Sequence, residues 1–266
     1  MRRLLACCLL AMLAWPGGAA AGERILALAP HVCEMLYAVG AGREVVGRGD
    51  YCDYPVAAQA LPDVGSARRI YVEQALRLHP TMAVVMDATT PGVAQLARAG
   101  VRIVESHPAT IAAILDDMRR LGNITGHAVQ GRQAADRLGR RVKAIAARVS
   151  GKRVSVFYEL WPRPLMSVGG DSFIADVLHH AGLRNIFDKS SLESVRVGVE
   201  SVLRARPGLV IVPQEKQSLT ARRRFWRKWL GPKVRVIGMP ADLFQRPGPR
   251  VVDGLELLVE KVGRSG

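Results

Sequence analysis

Two stretches of the chain carry one pattern of apolar and polar positions. VEQALRLHPTMAVV at 72–85 and VESVLRARPGLVIV at 199–212 both read V-E-x-x-L-R-x-x-P-x-x-x-V/I-V, the spacing of a short helix, a proline stop and a buried strand. After each copy comes another strand-like run ending in proline, VRIVESHP from Val101 and VRVIGMP from Val234. A solenoid would repeat about every 20–50 residues, so one duplication on this larger scale predicts two related lobes instead.

The remaining pattern fills in both lobes. In the first it predicts strands at 24–29, 44–48, 82–86 and 102–105 and helices at 32–39, 72–78, 91–99 and 110–121. In the second it predicts strands at 153–158, 209–213 and 234–237 and helices at 171–181, 199–205, 220–230 and 249–262. Strands alternating with helices imply an α/β class with mainly parallel sheets covered on both faces. Across 127–149, Ala135, Leu138, Val142, Ile145 and Val149 recur at alternating spacings of three and four, with Arg and Lys elsewhere and no proline. That is an amphipathic helix of about six turns, long enough to act as one rigid interdomain rod. The expected organisation is an N-terminal lobe at 22–125, a connecting helix at 126–150 and a C-terminal lobe at 151–266, with a cleft that closes little on its ligand.

The start of the chain sets the expected compartment. MRR is a basic n-region, residues 4–15 are a short apolar run, and PGGAAA ends in an A-x-A pattern, which predicts a secretory signal peptide over 1–21 and a periplasmic mature protein. The run is too short and wrongly flanked for a membrane span. Cys7 and Cys8 leave with it, so Cys33 and Cys52 are the cysteines retained. Both follow predicted strands of the first lobe, where their loops could emerge side by side; a single bridge and two separate half-buried thiols are the alternatives.

The formal charge of +15 suggests an anionic ligand or surface, or dispersed solvated charge. Apart from ARRRFWRKW at 221–229 the basic residues are scattered without aromatic interleaving, which argues against nucleic acid. The phosphate loop, nucleophile elbow, H-E-x-x-H and dinucleotide glycine signatures are all missing from the sequence, so no catalytic residues, metal site or cofactor are assigned. His179 and His180 are helix neighbours about 100° apart, a poor chelating pair. His31 follows Pro30 at the end of the first strand, where open α/β sheets take ligands; a solvated loop histidine is the alternative.

The order RILALAPHVCEMLYAVGAG, VVGRGDYCDYP, VEQALRLHPTMAVV, YELWPRPLMSVGGDSFIADVLHHAGLRNIF and PADLFQRPGPRVVDGLELL resembles the periplasmic cobalamin-binding proteins of ABC importers, across essentially the whole chain after residue 21. YCDYP and D-L-F-Q-R-P-x-P-R are the most specific segments; the helix-strand units are shared with haem and ferric-siderophore binders. The resemblance implies a monomeric binding protein that captures a corrinoid between two lobes and delivers it to an inner-membrane permease dimer. It implies a corrin contact from Tyr51 in the N-lobe and polar contacts from Asp242 and Arg246 in the C-lobe, an acceptor and a forked donor suited to amide side chains. It also places His31 at the cleft, within reach of cobalt or iron. Where enteric cobalamin binders carry a tryptophan this chain has Ala67, and where haem binders carry an axial tyrosine it has Ser66. Tyr71, Trp161 and Trp226 are candidates to replace the missing aromatic wall. Glu73 and Glu200, at the same place in the two repeats, match the glutamates that pair with permease arginines; local capping of their helices is the alternative. The remaining functional alternatives are haem or ferric-siderophore binding and, from a different class, a two-lobed enzyme such as a nucleotide-sugar transferase.

Overall fold

The computed structural model describes residues 22–149, 153–214 and 218–263; the expected signal peptide lies outside them. In the first lobe β1 (Ile25–Ala27), α1 (Pro30–Ala38), β2 (Val45–Arg48), α2 (Val72–Arg77), β3 (Met82–Val85), α3 (Val93–Arg98), β4 (Arg102–Glu105) and α4 (Ile111–Ile124) build a parallel sheet of order β2-β1-β3-β4. The connecting helix is α5 (Ala128–Ala146), 19 residues, shorter by about one turn than its periodicity predicts.

The second lobe contains β5 (Val154–Tyr158), β6 (Trp161–Pro162), β7 (Leu165–Val168), α6 (Phe173–His180), β8 (Leu183–Asn185), β9 (Ser194–Arg196), α7 (Val199–Ala205), β10 (Leu209–Gln214), α8 (Leu219–Leu230), β11 (Arg235–Pro240), α9 (Ala241–Phe244) and α10 (Val251–Gly263). Its parallel sheet runs β11-β10-β5-β8, and a small antiparallel sheet, β6-β7-β9, stands beside it. The sequence pattern missed β6 to β9. Strands of two to four residues hold too little alternation to register, and WPRP places two prolines in the first hairpin.

Alternation along each parallel strand explains how the layers join. Ile25, Ala27, Met82 and Val84 face one core together with Val156, Tyr158, Leu209 and Ile211 from the second sheet. The intervening residues turn outward to separate packing: Leu26, Leu28, Ala83 and Val85 meet Ala75 and Leu96, while Phe157, Val210 and Val212 meet Trp226. The inner core is therefore continuous between the lobes. It is filled by helices, with Met118 and Leu121 of α4, Ala134, Ala135 and Ile145 of α5, Val177 and Leu178 of α6 and Leu255 and Leu258 of α10 all buried.

Helix α5 meets α4 most closely at Gly122 and Gly131. A β-carbon on Gly131 would lie 3.0 Å from the Gly122 Cα and from the Met118 carbonyl oxygen. On its other flank, Arg141 and Arg148 bridge to Asp253 and Glu256 of α10 at 2.8–3.1 Å. The contacts predict opposite outcomes for two glycines in one helix. Gly131→Val forces the helices apart and lowers unfolding stability by at least about 2 kcal/mol. Gly139→Ala, which meets nothing nearer than the Leu115 side chain at 3.4 Å, raises it by about 0.5–1 kcal/mol. Urea denaturation of both variants checks the pair of signs.

Candidate ligand-binding cleft

The carboxyl ends of the parallel strands in the two sheets carry the loops that meet between the lobes, the edge at which open α/β sheets take ligands. From the first lobe comes the loop after β2, which holds Tyr51, Asp53 and Tyr54. Tyr51 has φ of 60° and is 66% exposed. The neighbouring Cys52 is buried and joined to Cys33 of α1 as a disulfide, with Cα atoms 5.9 Å apart. The loop is thus anchored at its middle while its tyrosines stand in solvent.

From the second lobe, α9 and the segment leading into α10 present Asp242, Arg246 and Arg250. Arg246 forks onto the Asp53 carboxylate, with Nη2 3.0 Å from Oδ2, and its Nη1 lies 3.4 Å from Glu34 Oε1. Arg250 reaches the same Glu34 oxygen at 3.4 Å, bonds Asp242 at 2.5 Å and lays its guanidinium over the Tyr54 ring at 4.4 Å. Three carboxylates and two arginines thereby tie the lobes together across the cleft.

Glu34 is the buried member. Its carboxyl sits against Gly248, Oε2 has no hydrogen-bond partner, and the residue is 3% exposed. Burial raises its pKa to about 7, outweighing the pull of Arg250 and Arg246. Asp53, half exposed, is held below the usual carboxylate range by its bonds to Arg246.

A cavity of about 480 Å³ opens beside this network, lined by Leu160, Trp161, Pro213, Arg222, Ala241 and Gln245 among others. Trp161 stands at its rim on β6, 52% exposed, with its indole N–H donated to the Arg163 carbonyl. Below it Glu159, fully buried, receives both arms of Arg222 at 2.6 and 2.7 Å and the indole N–H of Trp226. A buried ion pair satisfied in this way fixes the cavity wall rather than supplying a free charge.

The structure redistributes the residues singled out in the sequence. Asp242 and Arg246 come together with the loop of Tyr51, while Tyr71 and Trp161 are half-exposed aromatics on separate lobes. His31 is corrected. It is 1% exposed, its Nε2 lies 2.9 Å from the Ser106 carbonyl oxygen, and burial lowers its pKa to about 4. A carbonyl only accepts, so Nε2 carries the proton, and burial shuts the lone pair left on Nδ1 away from the cleft; His31 holds the end of β4 to α1 instead. Trp226 is likewise buried, in the outer packing of the second sheet, and cannot wall the cleft.

Sequence reasoning does not single out Glu34, Asp53, Tyr54 or Arg250. Asp53 and Tyr54 stand inside YCDYP and Arg250 closes the D-L-F-Q-R-P-x-P-R segment. The signal for Glu34 was one carboxylate in the apolar run VCEML. His107 and His127, which look isolated along the chain, pair with Glu193 of the second lobe at 3.2 Å and Glu44 at 3.1 Å. Among the described residues no cluster of three or more His, Cys, Asp or Glu could hold a metal ion.

Comparison with known proteins now bears on this cleft. Residues 25–225 match the family model described as periplasmic binding protein. The chain belongs to that family. Its members bind ligands in the periplasm and are not enzymes, which removes the transferase alternative; their partners are the permeases of ABC transporters. A vitamin B12-binding protein of Yersinia pestis (strain Pestoides F) is 30% identical over 265 residues, covering 98% of this chain and 92% of its own. The crystal structure of the periplasmic vitamin B12 binding protein BtuF of Vibrio cholerae superposes with a TM-score of 0.81 at 28% identity, covering 92% of this chain and 98% of that one. A periplasmic heme-binding protein, RhuT, from Roseiflexus sp. RS-1 superposes with a TM-score of 0.80 at 22% identity, covering 90% and 97%, and shares the fold alone.

The elevated Glu34 pKa has a sign that stability measurements can read. The folded state retains a proton that the unfolded carboxyl, with a pKa of 4.5, has lost. The stabilising contribution is present below pH 4.5 and is lost as pH rises to about 7. Relative to wild type, Glu34→Gln therefore gains stability across that window, by about 3 kcal/mol at most, and the difference is flat above pH 8. Urea titrations at pH 5, 6, 7 and 8 measure it.

Proposed function

We propose that this protein is the periplasmic component of a corrinoid importer: it captures cobalamin in the interlobe cleft and delivers it to the permease dimer of an inner-membrane ABC transporter. The observation that carries this reading is the cleft's polar lining. Arg246, Arg250, Asp242 and Asp53 offer donors and acceptors side by side, with Tyr51 and Tyr54 exposed on the loop of Asp53 and Trp161 at the rim of the adjoining cavity. A large macrocycle rimmed by neutral amides needs that combination, aromatic surface for its faces and paired polar groups for its edge. The likeness to vitamin B12-binding proteins along nearly the whole chain supports the same ligand. Cleavage after Ala21 would release the mature chain, and Glu73 and Glu200 are its docking residues. Each is the second residue of its helix, exposed, with no hydrogen bond or ion pair to any described residue.

Purified protein titrated with cyanocobalamin and, separately, with haemin, followed by absorbance and tryptophan emission, tests the ligand. Tight corrinoid binding is expected; tight haemin binding with no corrinoid response would overturn the reading. Arg246→Ala and Tyr51→Ala should each weaken corrinoid binding, the former by about 1–3 kcal/mol or tenfold and more. Unchanged affinity in both would mean that the cleft is misassigned.

Docking is separable from capture. Reversing both glutamates, Glu73→Arg with Glu200→Arg, should keep ligand affinity within about threefold and abolish uptake in cells, because repulsion replaces attraction at both feet. Full transport by the double variant would leave helix capping as the role of the two residues.

A further inference from the structure

The protein carries a formal charge of +15, yet apart from the exposed Arg163 the arginines at the cleft are matched by carboxylates. Arg246 is matched by Asp53 and Glu34, Arg250 by Glu34 and Asp242, and Arg222 by Glu159. Arg163, exposed on the β6–β7 hairpin, lines the cavity with no carboxylate partner among the described residues. Asp53 and Asp242 alone balance the two guanidiniums, so the network has no excess of positive charge even with Glu34 protonated.

We infer that Asp53 is a specificity-determining residue, which by neutralising Arg246 from the opposite lobe reserves the cleft for ligands with a neutral amide rim and turns away carboxylate-bearing ones. The inference deepens the corrinoid reading and rests on it. A guanidinium has five N–H donors, and a forked carboxylate occupies two. An amide carbonyl takes one of the remaining donors without displacing Asp53, and an amide N–H can be accepted by Asp242 or Asp53. A ligand carboxylate offers only acceptors and meets Asp53 and Asp242 at close range, an arrangement that discriminates by repulsion.

It must also compete with a carboxylate already tethered at bidentate geometry, whose effective concentration exceeds that of a dilute ligand. Asp53 is half exposed, and Arg246, itself largely buried, keeps its contact with Glu34 when Asp53 becomes asparagine, so the substitution leaves the buried core untouched.

The test compares cyanocobalamin with a cyanocobalamin monocarboxylic acid, one peripheral amide replaced by carboxylate, for wild type, Asp53→Asn and a remote control, Asp136→Asn on α5. Circular dichroism verifies the fold of each. Wild type should prefer the amide form at least about tenfold. Asp53→Asn should narrow that ratio about fivefold or more, or invert it, by leaving Arg246 to the ligand carboxylate. Asp136→Asn should not change it. Equal affinities in wild type, or a ratio that Asp53→Asn leaves alone, overturn the inference. If wild type binds neither corrinoid, the corrinoid reading falls and haemin becomes the probe: a gain in haemin affinity on Asp53→Asn upholds the role of Asp53, and no gain removes it.

Discussion

The contact on which the rest of the molecule depends is the close approach of α4 and α5 at Gly122 and Gly131, where backbone meets backbone. Helix α5 is a spacer only if it cannot roll, and side chains of any size at that crossing would move it outward. From the crossing, Ala134, Ala135, Leu138, Val142 and Ile145 continue one apolar stripe into a core to which both sheets contribute. Arg141 of the same helix, and Arg148 just beyond its end, meet the carboxylates of α10 on its other flank. Fixed at both flanks, the rod sets the distance between Asp53 and Arg246 that lets a guanidinium fork close across the cleft.

Charge acts on two scales in this protein. Over the whole surface the basic excess favours anionic partners, and read alone it would point to an anionic ligand. At the cleft the pairing reverses that message, because carboxylates of both lobes are aimed at the arginines and the deepest of them, Glu34, is buried enough to hold its proton near neutrality. Net charge describes encounter, and ligand choice is set by the few groups that remain unpaired. The exposed tyrosines and Trp161 supply surface that charge does not alter.

Much of the architecture was legible in the chain because periodicity reports burial directly. The repeated V-E-x-x-L-R unit, the parallel strands and the α5 stripe are all consequences of one face or both faces being dry. The strands at β6 to β9 were not legible, since they are two to four residues long and the partners that hold β8 and β9 are distant in sequence. The cleft was half legible. Tyr51, Asp242 and Arg246 come from a resemblance in motif, whereas Glu34, Asp53 and Arg250 are recognisable only when α1, the loop after β2 and the segment after α9 are seen to converge. His31 shows the reverse error: the end of a strand is a good address for a ligand contact, but that address does not say which way a side chain turns. Its burial, with Nε2 tied to Ser106, decides it.

The shared core has a consequence for exchanging parts between relatives. A two-lobed protein built from a repeated unit invites the thought that one lobe could be swapped for another with a different ligand preference. Here the inner faces of both sheets press on the same helices, so a cut between lobes would sever a single packed interior and demand that foreign side chains fit on the far side. The natural unit of exchange is smaller. The loop around Tyr51, the β6–β7 hairpin around Trp161 and the turn from Arg246 to Arg250 project from the carboxyl edges of the sheets, and they can diverge while the interior between them is conserved as one piece.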